Sequence, residues 1–195
     1  MKTCAATLAC VLVLGFVVVS GNSIRAQNAP AIPAWVHPGL IVVYDGVSAF
    51  VQNGRFTQGI RMVMTTRVNS VAGNVVNGVT NLQTVGTPIA GTHAWSCNAG
   101  GVCRGDATQM NGQFWVDPAN PTASKKGGNG EPFSMVGSAP YSIGGKTWAA
   151  STMSYQNPAT GVQFACTFET KTGLILAYSE TSPAEQVHTY FRSMR

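Results

Sequence analysis

Charge is what this chain has least of. Lys and Arg total 12 and Asp and Glu total 7, so charged residues are 10% of 195, against ~25% in an ordinary globular protein. That scarcity argues against long solvent-facing helices, whose exposed positions favour Glu, Lys and Arg. The basic residues are scattered, with only Lys125 and Lys126 adjacent. No stripe exists to follow a phosphate backbone, which excludes nucleic acid as a partner. With three histidines and seven acidic residues, no triad order or glycosidase carboxylate pair is recognisable. Gly-x-Ser-x-Gly is absent. Gly127-Gly128-Asn129-Gly130 follows no strand and opens no helix, so it is no phosphate loop.

The longest apolar run stands at the start. Lys2 precedes Ala5–Ser20, and GNSIRA leads to a small-residue exit at Ala26. Charge, apolar core and small-residue exit in that order form a secretory signal peptide over residues 1–26. The run falls short of the ~20 residues of a spanning helix, and Asn22, Ser23 and Arg25 follow it closely. No second stretch is long enough to cross a bilayer. The mature protein is therefore expected to be soluble, with no membrane span, in the periplasm or outside the cell. Cleavage leaves 169 residues with ten basic and seven acidic groups, a formal +3. That length suits one domain with a real core.

Neutral polar residues and 22 glycines supply the polarity, a pattern common in β proteins with many turns. Residues 27–39, with three prolines, read as an extended lead-in that Trp35 can anchor, and residues 40–195 as one domain. Leu40–Tyr44 is a short strand that ends at a turn expected at Asp45-Gly46. From Ile60 the chain alternates, with Ile60, Met62, Met64, Thr66 and Val68 on one face. Ala72-Gly73-Asn74 breaks the run and Val75–Val85 resumes it as a hairpin, although Asn77-Gly78 is a second candidate for the turn. Strands return at Lys146–Tyr155, Val162–Thr170 and Leu174–Ser179, joined by turns at Asn157-Pro158 and Lys171-Thr172-Gly173, giving an antiparallel meander. Lys171-Thr172-Gly173 also matches a β-lactamase motif, but that family's Ser-x-x-Lys and Ser-Asp-Asn are missing. Ser182-Pro183-Ala184-Glu185 fits a capping box. His188-Thr189-Tyr190-Phe191 is good strand material. The tail therefore reads as a helical turn followed by a final strand.

Between these regions residues 91–132 form an irregular excursion. Three cysteines survive cleavage. Cys166 alternates in phase with Val162, Phe164 and Phe168 and belongs in the core as a free thiol. Cys97 and Cys103 flank a glycine-bearing return and are expected to form a disulfide. A metal site built on His93, Cys97 and Cys103, completed by His37 or His188, has unconvincing ligand spacing. No metal or other cofactor is called for.

Two groups of residues carry functional expectations. Trp95 and Trp115 in the excursion, with Met62 and Met64 on the strand, are candidates to line a site for a small apolar or amphipathic ligand. Arg104-Gly105-Asp106, directly after the disulfide, is a candidate interaction loop. No catalytic residue is assigned.

The motifs Phe114-Trp115-Val116-Asp117-Pro118, Gly144-Gly145-Lys146-Thr147 and Thr172-Gly173-Leu174-Ile175-Leu176 resemble those of uncharacterised exported bacterial proteins, over the C-terminal half. The resemblance implies a β-rich protein and carries no activity or catalytic residue. The fold expected is mainly β: a single antiparallel curved sheet, sandwich or partly closed barrel, with a long disulfide-stapled central loop region. The function expected is non-enzymatic binding of a small ligand or an envelope component. The alternatives are an adhesion module using residues 97–106 and a hydrolase whose residues meet only in space.

Overall fold

The computed structural model describes residues 29–52, 55–57, 59–86, 90–105, 113–127 and 130–195. The expected signal peptide, Asp106 and part of the glycine run at 127–130 lie outside the described residues.

The strands are β1 (Ile41–Gln52), β2 (Arg55–Phe56), β3 (Ile60–Ala72), β4 (Val75–Thr84), β5 (Ala90–Asn98), β6 (Cys103–Gly105), β7 (Ser134–Ile143), β8 (Lys146–Gln156), β9 (Gln163–Glu169), β10 (Ile175–Thr181) and β11 (Glu185–Met194). Ten of them form one antiparallel sheet in the order β6-β5-β4-β3-β1-β11-β10-β9-β8-β7, and β2 pairs with β1. Two meanders, β3 to β6 and β7 to β11, flank the central β1. The two edges, β6 and β7, do not pair, so the sheet is open.

Its curvature follows from one residue. Trp115 forms a backbone bridge with Leu174, beside the start of β10. Its ring centroid also lies 6.3 Å from that of Trp95 on β5. Strands β5 and β10 are five steps apart, which is ~24 Å in a flat sheet at ~4.8 Å per step. A single side chain joins them only because the sheet coils around it. A chain leaving one edge at β6 and re-entering at β7 must cross the full width. It crosses through the hollow, and residues 113–127 become the filling of the core. Phe114, Trp115 and Val116 are at most 1% exposed. Their backbone pairs with the β9–β10 turn through Val116 N–H to Gly173 O (2.8 Å) and Ile175 N–H to Phe114 O (3.0 Å).

Trp35 ties the segment before β1 to the body. Trp35 Nε1 donates to Thr172 O at 2.7 Å, and its ring tilts against Phe114. The β3–β4 turn falls at Gly73-Asn74, and Gly78 lies in mid-strand opposite Trp95. Several elements differ from the sequence reading: β1 does not turn at Asp45-Gly46 but runs through it to Gln52, because both residues are paired with β3 and β11. Residues 90–98 and 103–105 of the irregular stretch are strands. Residues 134–143 form β7, which low hydrophobicity and Pro140 concealed. The tail has no helical turn: Ser182 Oγ accepts from Glu185 N–H (2.9 Å), but the chain turns straight into β11. Pairing on both sides, with β1 and β10, outweighs the local capping signal.

Candidate functional site

The inner face of the sheet is the candidate site, and its register rows show where it is filled and where it is open. At the filled end Val68, Gly78 and Trp95 stand in one row, and Val42, Thr66 and Thr80 in the next. Toward the other end, where β1 finishes and β11 begins, burial falls along strand after strand. Met64 is buried and Met62 half-buried; Thr80 gives way to Leu82, and Tyr178 to Glu180. On β9 and β8 the same step separates Cys166 from Phe164 and Met153 from Tyr155. Met62 lies across Gly46, where a β-carbon would come within 2.6 Å of its Cγ. Phe164 stacks on Tyr155 at 5.8 Å between centroids.

This half-open end is amphipathic. Ser48 Oγ donates to Glu185, and Glu180 stands one strand away, opposite Val187. Burial, then the neighbouring charge of Glu185, pushes the Glu180 carboxyl above its usual range. Met62, Leu82, Phe164 and Tyr155 supply the apolar surround.

Deeper in, Lys125 is 3% exposed and its Nζ sits 5.6 Å from the ring centroid of Tyr178. Burial lowers its pKa, with Cys166 opposing. Burial also pushes the Cys166 thiol up to about 12, with Lys125 opposing. In each case burial disfavours the charged form. Near them Trp95 Nε1, Trp115 Nε1 and Gln113 Oε1 are buried without a hydrogen-bond partner among the described residues.

Of the four residues expected to line a cavity, Met62 lies at the open end, whereas Met64, Trp95 and Trp115 are in the packed interior (4%, 3% and 0% exposed). Cys97 and Cys103 are disulfide-bonded as a directly opposed β5–β6 pair, and Cys166 is free and buried. Arg104 is exposed. Gly105 adopts a φ of +122°, and a β-carbon there would strike Ala94 O, so close strand approach already requires glycine at that position. The three histidines stay apart. His37 is exposed with Nδ1 3.0 Å from Pro38 O, His93 leans over Gly91, and His188 stacks on Tyr190. No group of three or more metal-ligating side chains occurs among the described residues.

The residues missed at the sequence level were Glu180, Glu185 and Ser48. Their signal was parity, since Glu185, Val187 and Thr189 alternate on one face, but reading it required β11 to be a strand from its first residue. Lys125 was missed because a lysine beside Lys126 in a glycine-rich stretch reads as solvated surface.

No protein-family model matches the chain, and no curated protein sequence does. Among solved structures the chain is similar to a protein from Bacteroides fragilis described as exported, with a YmcC-like fold. Identity is 8%, coverage is 86% of this chain and 99% of that one, and the TM-score is 0.43. It is also similar to a DUF1329 family protein from Desulfovibrio piger, with 7% identity, coverage of 80% of this chain and 85% of that one, and a TM-score of 0.26.

Proposed function

We propose that the chain is an exported, non-enzymatic binding protein that takes a small apolar or amphipathic ligand at the half-open end of its inner face. The export half of the proposal rests on the charge, apolar run and small-residue exit of residues 1–26. The binding half rests on one observation. Burial falls at the same end of the inner face on β3, β4, β8, β9 and β10, where Met62, Leu82, Tyr155, Phe164 and Glu180 stand. These half-exposed residues are staggered over adjacent register rows, Leu82 beside Met64, Met62 beside Gly46, and Glu180, Phe164 and Tyr155 in line. Apolar walls with a few convergent polar groups are the usual make-up of a ligand site. Ser48, Glu180 and Glu185 suit a hydroxyl- or ammonium-bearing head, and the apolar residues suit its tail.

Titration of the mature chain with N-phenyl-1-naphthylamine, a neutral apolar fluorophore, tests the site. Saturable fluorescence enhancement is expected, with Met62→Trp reducing it by filling the space. No enhancement, or equal enhancement in a folded Met62→Trp variant, overturns the reading. Export is tested separately by N-terminal sequencing of secreted material, which is expected to begin at Gln27.

A further inference from the structure

The fold separates the charges by sign in a way that the net charge of the sequence conceals. Of the six acidic residues described, Asp117 and Glu169 are buried and Glu131, Glu180 and Glu185 are half-buried, which leaves Asp45 as the one exposed carboxylate. Asp117 is taken up by the N–H groups of Ala31 and Ala119. Burial raises Glu169, but hydrogen bonds from Thr172 outweigh it, and its carboxyl stays below the usual range. Among the described residues, exposed charged side chains therefore number eight basic against one acidic.

The outer face of β3, β1 and β11 shows this clearly. Arg61 and Arg67 share one side of β3, opposite Val47 and Ile41 of β1. Their six-residue separation spans ~20 Å. Arg192 of β11 reaches the same face, 3.3 Å from Asp45, in an exposed pair that neutralises one charge. Between Arg61 and Arg192 runs a groove of about 420 Å³ lined by Val47, Val63, Val85 and Tyr190. Val85 is 61% exposed, and Val47 and Tyr190 are each 38% exposed.

From this placement we infer that the outer face of β3, β1 and β11 docks on an anionic lipid bilayer, its arginines on headgroup phosphates and Val47, Val85 and Tyr190 at the headgroup boundary. Charge complementarity selects an anionic partner. The exposed valines select a bilayer over a nucleic acid, because aliphatic side chains neither stack on bases nor contact phosphates. Three arginines, one of them paired, are also too few for a phosphate backbone. The groove shares Met62 with the ligand site proposed at the end of the inner face, so the test rests on the arginines rather than on Met62.

Co-sedimentation of the mature chain with phosphatidylglycerol vesicles, beside vesicles of phosphatidylcholine alone, tests it. Expected is binding to the anionic vesicles that weakens as salt is raised. Arg61→Gln and Arg67→Gln are each expected to weaken it about fivefold. Lys171→Gln, on the β9–β10 turn, leaves it unchanged. Equal binding to both vesicle types overturns the inference, as does an undiminished Arg61→Gln/Arg67→Gln double variant. Loss in Lys171→Gln as large as in the β3 variants, or tighter binding to duplex DNA than to vesicles, also overturns it.

Discussion

The indole of Trp95 lies across Gly78 on the neighbouring strand so closely that a β-carbon at 78 would overlap its ring. The pair sets the floor on which Phe114 and Trp115 rest, since Trp95 contacts both rings. Gly78→Ala is expected to destabilise the fold by about 1–3 kcal/mol through overpacking. Gly137, in β7, has nothing within 4 Å of a β-carbon and no positive φ. Gly137→Ala is therefore expected to be neutral or stabilising by about 0.5 kcal/mol. Denaturant midpoints of the two variants check the contrast.

The disulfide closes a short ring, with a sequence separation of 6. Chain-entropy arguments give about 2 kcal/mol for a loop of this size. The Cys97→Ala/Cys103→Ala variant is expected to lose about that much and to keep its β-sheet circular dichroism, because the core rests on the coil of the sheet around residues 113–127. Loss of the fold would show that the staple matters more than the plug.

Cys166 gives an alkaline signature. An unfolded thiol titrates near ~8.5, whereas burial holds this one up to about 12. The thiol is protonated in both states below pH ~8.5, where its contribution to stability is fully present. As pH rises from there toward 12 the unfolded chain gives up the proton first, and that contribution is lost. Cys166→Ala is expected to show a shallower alkaline decline in melting temperature than the parent. Alkylation of the native protein is expected to leave Cys166 unmodified until denaturant is added.

Lys125 works in the opposite direction. Burial lowers its pKa in the folded chain, while the unfolded lysine holds its proton up to ~10.4. Between the lowered folded value and ~10.4 the unfolded state binds more protons, so stability rises with pH in that window. Lys125→Met keeps the volume and removes the buried amine. It is expected to equal or exceed the parent in stability at pH 7, with the difference shrinking as pH approaches ~10. Urea titrations at pH 7 and 9.5 decide.

Much of the β3–β4 hairpin and of the last third was legible in the residues themselves. Alternation from Ile60 to Val68 fixed which face turned inward, because side chains on a strand alternate with a period of two. The parity of Cys166 placed it in the core for the same reason, and the glycines between Cys97 and Cys103 marked the return that pairs them. Strand β7 was not legible. Its residues Ser134–Pro140 are all exposed, so no inner face left a periodic mark on them. The ligand-lining expectation for Trp95 and Trp115 named residues that sit in the interior, because a sequence says that a tryptophan will be covered without saying by what.

Local pattern was therefore enough for the β3–β4 hairpin, the strands of the last third with their inward face, and the disulfide, each of which depends on near neighbours along the chain. Tertiary structure alone decided the rest. β6 and β7 became opposite edges of one sheet, which sent residues 113–127 through the hollow and buried Lys125 between them. The same coil drew Glu180, Glu185 and Ser48 together at the open end and left arginines on the outer face. These outcomes depend on how ten strands are ordered, and strand order is set by pairings between residues as far apart as Val42 and Met194.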